Sequence, residues 1–297
     1  MLVQGQVRPP TLDEAFDYCQ QVARGHYENF TVASWMLPPA LRRHMYAIYA
    51  YSRGVDDLGD EAEGDRLALL DEWEAELERC YEGKPRDIRF VALGETIRRF
   101  DLPREPFLRL IEAKRRDQTV TRYRNFAELE EYCTYSANPV GRLVLRLFGC
   151  ADAERVALSD AITTALQLTN FWQDVAVDLE MGRVYIPMEE MEHFGYSEED
   201  LQERQYNEAF RRLMAFQVDR TRGLFRQGRR LPELVMGRLR ADLRLFSLGG
   251  LAVLDAIERI RYDVLHQRPR LSPARRGWLV ARSLLPEVPL LRGRYGG

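Results

Sequence analysis

Two short segments carry acids inside otherwise apolar stretches. The first, AIYAYSRGVDDLGDE, holds Asp56 and Asp60. Four residues apart on a helix, they share a face. The second, ALQLTNFWQDVAVD, holds Gln167, Asn170, Asp174 and Asp178 at spacings of three, four and four. At ~100° per residue these four side chains fall within an arc of roughly 80° on a continuous helix. Leu166, Thr169, Phe171, Trp172, Val175 and Val177 are left for the opposite face to bury. Unpaired carboxylates repel one another and are costly to desolvate, whereas hard cations relieve both penalties. Mg²⁺ takes oxygen ligands and completes its shell with water and substrate phosphates. Two facing acid stripes could therefore hold two or three Mg²⁺ ions around a diphosphate and assist ionisation of its C–O bond. Arg53, three residues before Asp56, and Arg183, after the second segment, could clamp phosphate oxygens or pair with nearby acids.

These segments need long helices to position them. Helical periodicity dominates the chain and strand-like alternation is scarce. Thr11 and Glu14 have capping-box spacing and open a helix to about Arg24. Pro38-Pro39 starts a long helix through Tyr46, Tyr49 and Val55. Further helices are expected near 64–82, 88–100, 104–116, 126–148, 152–180, 197–228, 232–244 and 246–266. Breakers separate them at Gly83-Lys84-Pro85, Asp101-Leu102-Pro103, Gly149 and Gly195. Pro139 and Gly141 predict a kink in the 126–148 helix, open to a packing reading or to close approach of a ligand. No repeat or linker marks a boundary, so one all-α domain of about ten helices over 1–297 is expected, with its core at about 12–267.

Composition narrows the classes further. Net charge is −3 with 30% charged residues, which gives no field for nucleic acid. The basic residues are almost all Arg; Lys84 and Lys114 are the only lysines, read here as a compositional bias. Cys19, Cys80, Cys133 and Cys150 form no CxxC pair and have no His at zinc-ligand spacing, so reduced thiols are expected. A di-iron bundle needs two ExxH motifs; only Glu190 and His193 fit, in an expected loop. The first residues lack the apolar core of a secretory signal and no stretch is long enough to span a bilayer, so a cytoplasmic protein is expected. The segment 268–297 mixes Arg268, Arg270, Arg275, Arg276 and Arg282 with Trp278, Leu279 and Leu284. It is either an ordinary packed terminal helix or a peripheral contact with an anionic membrane face.

At these residues the chain resembles the squalene/phytoene synthase family, over about 15–275. Arg53 with Asp56 and Asp60 looks like the family's first aspartate-rich motif, and Gln167, Asn170, Asp174 and Asp178 look like the second. Tyr49 resembles an active-site tyrosine ahead of the first motif. Tyr132, Ala137, Val140 and Gly141 resemble the kinked helix, and Arg183 and Tyr185 the flap. The resemblance implies a class I isoprenoid synthase fold with a central apolar cavity. It also implies Mg²⁺ on Asp56, Asp60, Asn170, Asp174 and Asp178, and a prenyl diphosphate substrate. Three stretches, HYENFTVAS at 26–34, SANPVG at 136–141 and NFWQDVAVD at 170–178, resemble the hydroxysqualene synthases of bacterial hopanoid pathways. That branch implies presqualene diphosphate and water as substrates, hydroxysqualene as product, and no NADPH. Absence of a GxGxxG fingerprint says little about NADPH, since a helical enzyme would not use a Rossmann site.

The chain departs from the wider family at Tyr27-Glu28-Asn29, at Gln173 and at Ala137-Asn138-Pro139-Val140-Gly141, all on the expected substrate side. These departures are consistent with a single, already joined substrate. Asn138 and Gln173 are candidates to hold the trapping water. The alternatives are a synthase condensing two prenyl diphosphates to presqualene diphosphate, squalene or phytoene, and a non-catalytic helical relative, which would be expected to have lost its acids.

Overall fold

A computed structural model of the chain describes residues 10–25 and 39–285. The stretch 26–34 and the residues from 286 onward lie outside them. Among the described residues the architecture is helical. The helices are α1 (Leu12–Gly25), α2 (Pro39–Asp56), α3 (Arg66–Tyr81), α4 (Ile88–Phe100), α5 (Glu105–Asp117), α6 (Phe126–Ser136) and α7 (Asn138–Leu147). They continue with α8 (Ala153–Gln173), α9 (Val175–Glu180), α10 (Met188–Phe194), α11 (Glu198–Gln202), α12 (Glu208–Gly228), α13 (Gly237–Arg259) and α14 (Pro273–Leu284). A π-helical turn, Asp57–Glu61, extends α2, and a 3₁₀ turn, Leu231–Leu234, precedes α13. A single β-bridge, Arg122 to Val184, is the only ladder contact among the described residues.

Local sequence explains most boundaries. The Thr11 amide donates to the Glu14 carboxylate at 2.7 Å and the Glu14 amide donates to Thr11 Oγ1 at 3.3 Å, as the capping box requires. Asp65, Asp87, Asn125, Asp152, Ser197, Asn207 and Ser272 cap the helices that follow them. Gly83, Gly149 and Gly195 stop helices in the left-handed region, with φ of 79°, 65° and 69°.

Four boundaries differ from expectation. The 152–180 helix breaks at Asp174, whose φ of −110° and ψ of 16° leave the helical region. The kink expected in the 126–148 helix is a full break at Ala137, with Pro139 at the start of α7. The 197–228 helix is split between α11 and α12. Conversely, 237–259 is one helix through Gly249-Gly250, because Gly250 closes on Phe225: a Cβ there would lie 2.4 Å from its Cζ. Glu190 and His193 lie on α10 rather than in a loop, and Glu190 is taken by Arg220 at 2.5 Å.

The interior has two large apolar clusters. One holds Tyr51, Val55, Trp73, Phe90, Phe107 and Ile111, from α2 to α5. The other holds Leu168, Trp172, Phe210, Leu213, Val218 and Leu254, where α8, α12 and α13 pack. A smaller cluster joins α1 to α2 through Ala15, Phe16, Cys19 and Ala47. Helix α7 spans the two large clusters: Leu143 and Leu147 enter the first, and Leu145 the second. The C-terminal end of α2 belongs to the first cluster and that of α8 to the second, so the acid-bearing ends meet where the clusters join. The terminal helix α14 packs on α13 with Leu279 and Ser283 buried, and leaves Trp278, Leu284 and Leu285 exposed. No helix among the described residues is long and apolar enough to cross a membrane.

Candidate active site

The first stripe ends in the π turn, closed by the Ala62 amide on the Asp57 carbonyl at 2.9 Å. Arg53 does not turn to Asp56. It pairs with Asp57 and Glu61, each at 2.6 Å. Asp56 and Asp60 instead converge on Lys114 of α5, whose Nζ lies 3.2 Å from Asp56 and 2.6 Å from Asp60. The same ammonium is 3.5 Å from Asp117, a buried acid at the end of α5. Tyr49 is half-buried one helical turn before Arg53.

On the second stripe, Asn170 is exposed, Gln167 and Asp178 are half-buried, and Val177 is exposed rather than buried. The break at Asp174 does not scatter the stripe. The Asp174 amide still donates to the Asn170 carbonyl at 2.9 Å, and the Asp178 amide to the Asp174 carbonyl at 2.8 Å. Arg268, from the segment after α13, grips Asp174 through Nε at 2.5 Å and Nη2 at 3.1 Å. The Gln173 amide donates to the Pro269 carbonyl at 2.6 Å, so residues around 268–269 lie against this end of α8.

Arg183 joins the two stripes. Its Nη2 donates to Asp60 at 3.0 Å, while its own backbone amide bonds the Asp178 carbonyl at 2.8 Å. The flap that carries it is held to the α5–α6 loop. The Val184 amide donates to Thr121, the Met188 amide to Tyr123, and Arg122 Nη1 to the Gly182 carbonyl at 2.6 Å. Behind Arg183 the Tyr185 and Phe171 rings stack at 3.7 Å and 9°. Tyr132 and Tyr123 close the group, with centroids 6.1 and 5.7 Å from Tyr185. A small cleft here is lined by Phe171, Val175, Val184, Tyr185 and Ile186, with Asp178 and Arg183 as its charged groups.

The acids differ electrostatically. Burial and the neighbouring Asp174 push Asp178 up to about 7, against Arg183 and Arg268. Burial raises Asp56. Burial would also raise Asp60, but Lys114 and Arg183 outweigh it and hold Asp60 below its ordinary value. Burial raises Asp117, which faces Lys114 and Tyr132. Among the described residues no three His, Cys, Asp or Glu side chains converge as a preformed cage. Each acid pair is instead met by a cation of the chain.

The kinked-helix residues have packing duties. Asn138 is buried, and its Oδ1 accepts from Thr163 at 2.9 Å and Thr164 at 3.0 Å. A Cβ on Gly141 would lie 2.5 Å from Ser159 Oγ and 2.8 Å from Thr163 Cγ2, so this glycine admits α8. Ala137 is buried and Val140 partly buried against the first cluster. Lys114, Asp117 and the pairing role of Arg268 were missed in the sequence. Lys114 had one signal, its rarity in an Arg-rich chain; Asp117 had none.

A helical bundle that sets two acid-bearing helix ends together beside an aromatic wall is an isoprenoid synthase architecture. The squalene/phytoene synthase family model matches residues 23–275. The chain is 34% identical over 272 residues to the 15-cis-phytoene synthase of Synechocystis sp., covering 87% of this chain and 81% of that one. Among solved structures, squalene synthase HpnC from Alicyclobacillus acidocaldarius superposes with a TM-score of 0.83 at 50% identity, covering 84% of this chain and 95% of that one. A dehydrosqualene synthase in complex with ligand gives 0.84 at 27% identity, covering 92% and 96%. The chain belongs to the squalene/phytoene synthase family.

Proposed function

We propose that this protein is a hydroxysqualene synthase of hopanoid biosynthesis, converting presqualene diphosphate and water to hydroxysqualene and diphosphate with Mg²⁺. The observation that carries the prenyl diphosphate chemistry is Arg183: it spans Asp60 and the Asp178 backbone and lines the same cleft as the stacked Tyr185 and Phe171. An anion site and a wall of aromatic faces therefore adjoin. The branch is supported by 50% identity to squalene synthase HpnC, against 34% to a phytoene synthase.

The donor set fits a hard cation. It consists only of oxygens, and with burial and the neighbouring Asp174 pushing Asp178 up to about 7, added positive charge there would favour its ionised form. Asp56, Asp60, Asn170, Asp174 and Asp178 would hold Mg²⁺. Bound there, the ion supplies Lewis-acid neutralisation of the diphosphate. Arg183, with Arg53, takes the oxygens of the departing diphosphate. The C–O bond breaks with both electrons leaving on oxygen. The group of Tyr132, Phe171 and Tyr185 lies beside the resulting carbocation and favours it through ring faces left outside the Phe171–Tyr185 stack, with Tyr49 nearer the first motif. Ring opening and capture by water then give the alcohol, with loss of the water's proton. Asn138 Oδ1 and Gln173 Nε2 already have protein partners, so any hold on that water falls to their remaining polar atoms. A peripheral bilayer contact through exposed Trp278, Leu284 and Leu285 would suit a long apolar alcohol as product.

The test is a product assay with presqualene diphosphate and Mg²⁺, with and without NADPH, and in parallel with farnesyl diphosphate alone. Hydroxysqualene formed independently of NADPH, with farnesyl diphosphate untouched, is the expected outcome. Consumption of farnesyl diphosphate would make this a condensing synthase, the reading favoured by the identity to phytoene synthases.

A further inference from the structure

The first acid pair already holds a cation of the chain's own. Lys114 is one of only two lysines, yet its ammonium lies within 3.2 Å of both Asp56 and Asp60 and 3.5 Å from Asp117. Its side chain is only 15% exposed. The room for it is built. The aliphatic stem lies against Gly59 in the π turn, where an added Cβ would stand 2.8 Å from Lys114 Cβ and Cδ. Gln118 fixes that turn, its Nε2 donating to the Gly59 carbonyl at 3.0 Å and to the Lys114 carbonyl at 2.9 Å. With Arg183 also on Asp60, the three carboxylates Asp56, Asp60 and Asp117 keep one net negative charge.

We infer that Lys114 is the resident counter-cation of the first acid pair, competing with divalent ions for Asp56 and Asp60 and making their loading depend on the diphosphate. A divalent ion that takes both carboxylates displaces the ammonium. Without an anion nearby, the displaced charge is left in a partly buried site beside the incoming one, which costs free energy. A bound diphosphate gives the ammonium new oxygen partners and removes that cost. Lys114 is thus a positioning residue that couples cation loading to substrate, and the inference rests on Asp56 and Asp60 being the cation ligands of the proposed function.

The test titrates MgCl₂ alone into the full-length protein, read by calorimetry and by the shift in Tm. Lys114→Met should bind Mg²⁺ at least about tenfold more tightly than the parent, as expected from removing one adjacent positive charge, and should show a larger Mg²⁺-dependent rise in Tm. Lys114→Arg, which keeps the charge, should stay nearer the parent than Lys114→Met. Gly59→Ala, which leaves the ammonium in the chain but displaces its stem, should move in the same direction as Lys114→Met and carries the test if that variant does not fold. Equal Mg²⁺ affinity in the parent and the folded variants overturns the inference while leaving the proposed function standing. If adding Asp56→Asn to Lys114→Met leaves Mg²⁺ binding unaltered, Asp56 is no ligand, and both readings fall.

Discussion

Arg183 Nη2 lies 3.0 Å from Asp60 Oδ1, an ion pair between residues 123 positions apart that closes the gap between the two acid stripes. Each partner sits on a different apolar cluster's side of the molecule, so the pair exists only when both halves are folded together. It also leaves a guanidinium at the point where a leaving diphosphate would be held.

Replacing Arg183 by Gln should therefore lower kcat by about 10²-fold, the cost typical of removing one preorganised donor to a developing anion. Thermal unfolding should change little, since Asp60 keeps Lys114 at 2.6 Å. An unaltered kcat would remove Arg183 from the diphosphate site.

Asp174→Asn should be more severe, reducing turnover by about three orders of magnitude if a ligand for Mg²⁺ is lost. The helix break persists in this variant because it is made by the backbone, with the Asp174 amide on the Asn170 carbonyl. Circular dichroism should match the parent. Full activity would sink the proposed mechanism.

Away from the site, Asp242 on α13 is 3% exposed and its Oδ1 lacks a hydrogen-bond partner. Burial pushes its carboxyl from 3.8 up to about 7, only partly opposed by Arg238. A carboxyl whose folded pKa is raised favours the fold only while protonated. The parent should thus lose stability as pH rises from 3.8 towards about 7, with the full penalty present above that value. Asp242→Asn should remove this part of the slope, leaving the variant more stable by roughly 2 kcal/mol or more on the alkaline side. Denaturant unfolding on both sides of the window measures it; parallel pH profiles for parent and variant would contradict it.

Gly141→Ala should cost about 1–3 kcal/mol, the usual penalty for overpacking a helix contact. The new methyl meets Ser159 Oγ at 2.5 Å. Ser159→Ala in the same chain should recover part of the loss, measured as non-additivity of the two changes in Tm. Strict additivity would place the strain elsewhere.

Much of the helical framework was readable along the chain, because what starts and stops a helix is local. The Thr11–Glu14 box, the left-handed Gly83, Gly149 and Gly195, and the interruption ahead of Pro139 each depend on neighbouring residues only. The two acid stripes were readable from short-range spacing alone, although the first runs into the π turn and the second crosses the break at Asp174. The breaks at Asp174 and between α11 and α12 were not, and neither was the continuity of α13, whose paired glycines are accommodated by Phe225 from another helix.

The amino-acid sequence by itself determined the residue types, their periodicity and hence an all-helical chain with two oxygen-rich stripes. Only the tertiary structure decided what those stripes face. Lys114 and Asp117 come from α5, Arg183 from a flap tied to the α5–α6 loop, and Arg268 from the segment after α13. Coulombic partners at about 3 Å are chosen by packing of distant elements, and no spacing along one helix encodes them. That is why Arg53 turned to Asp57 and Glu61, and why a lysine read as compositional accident occupies the centre of the first acid cluster.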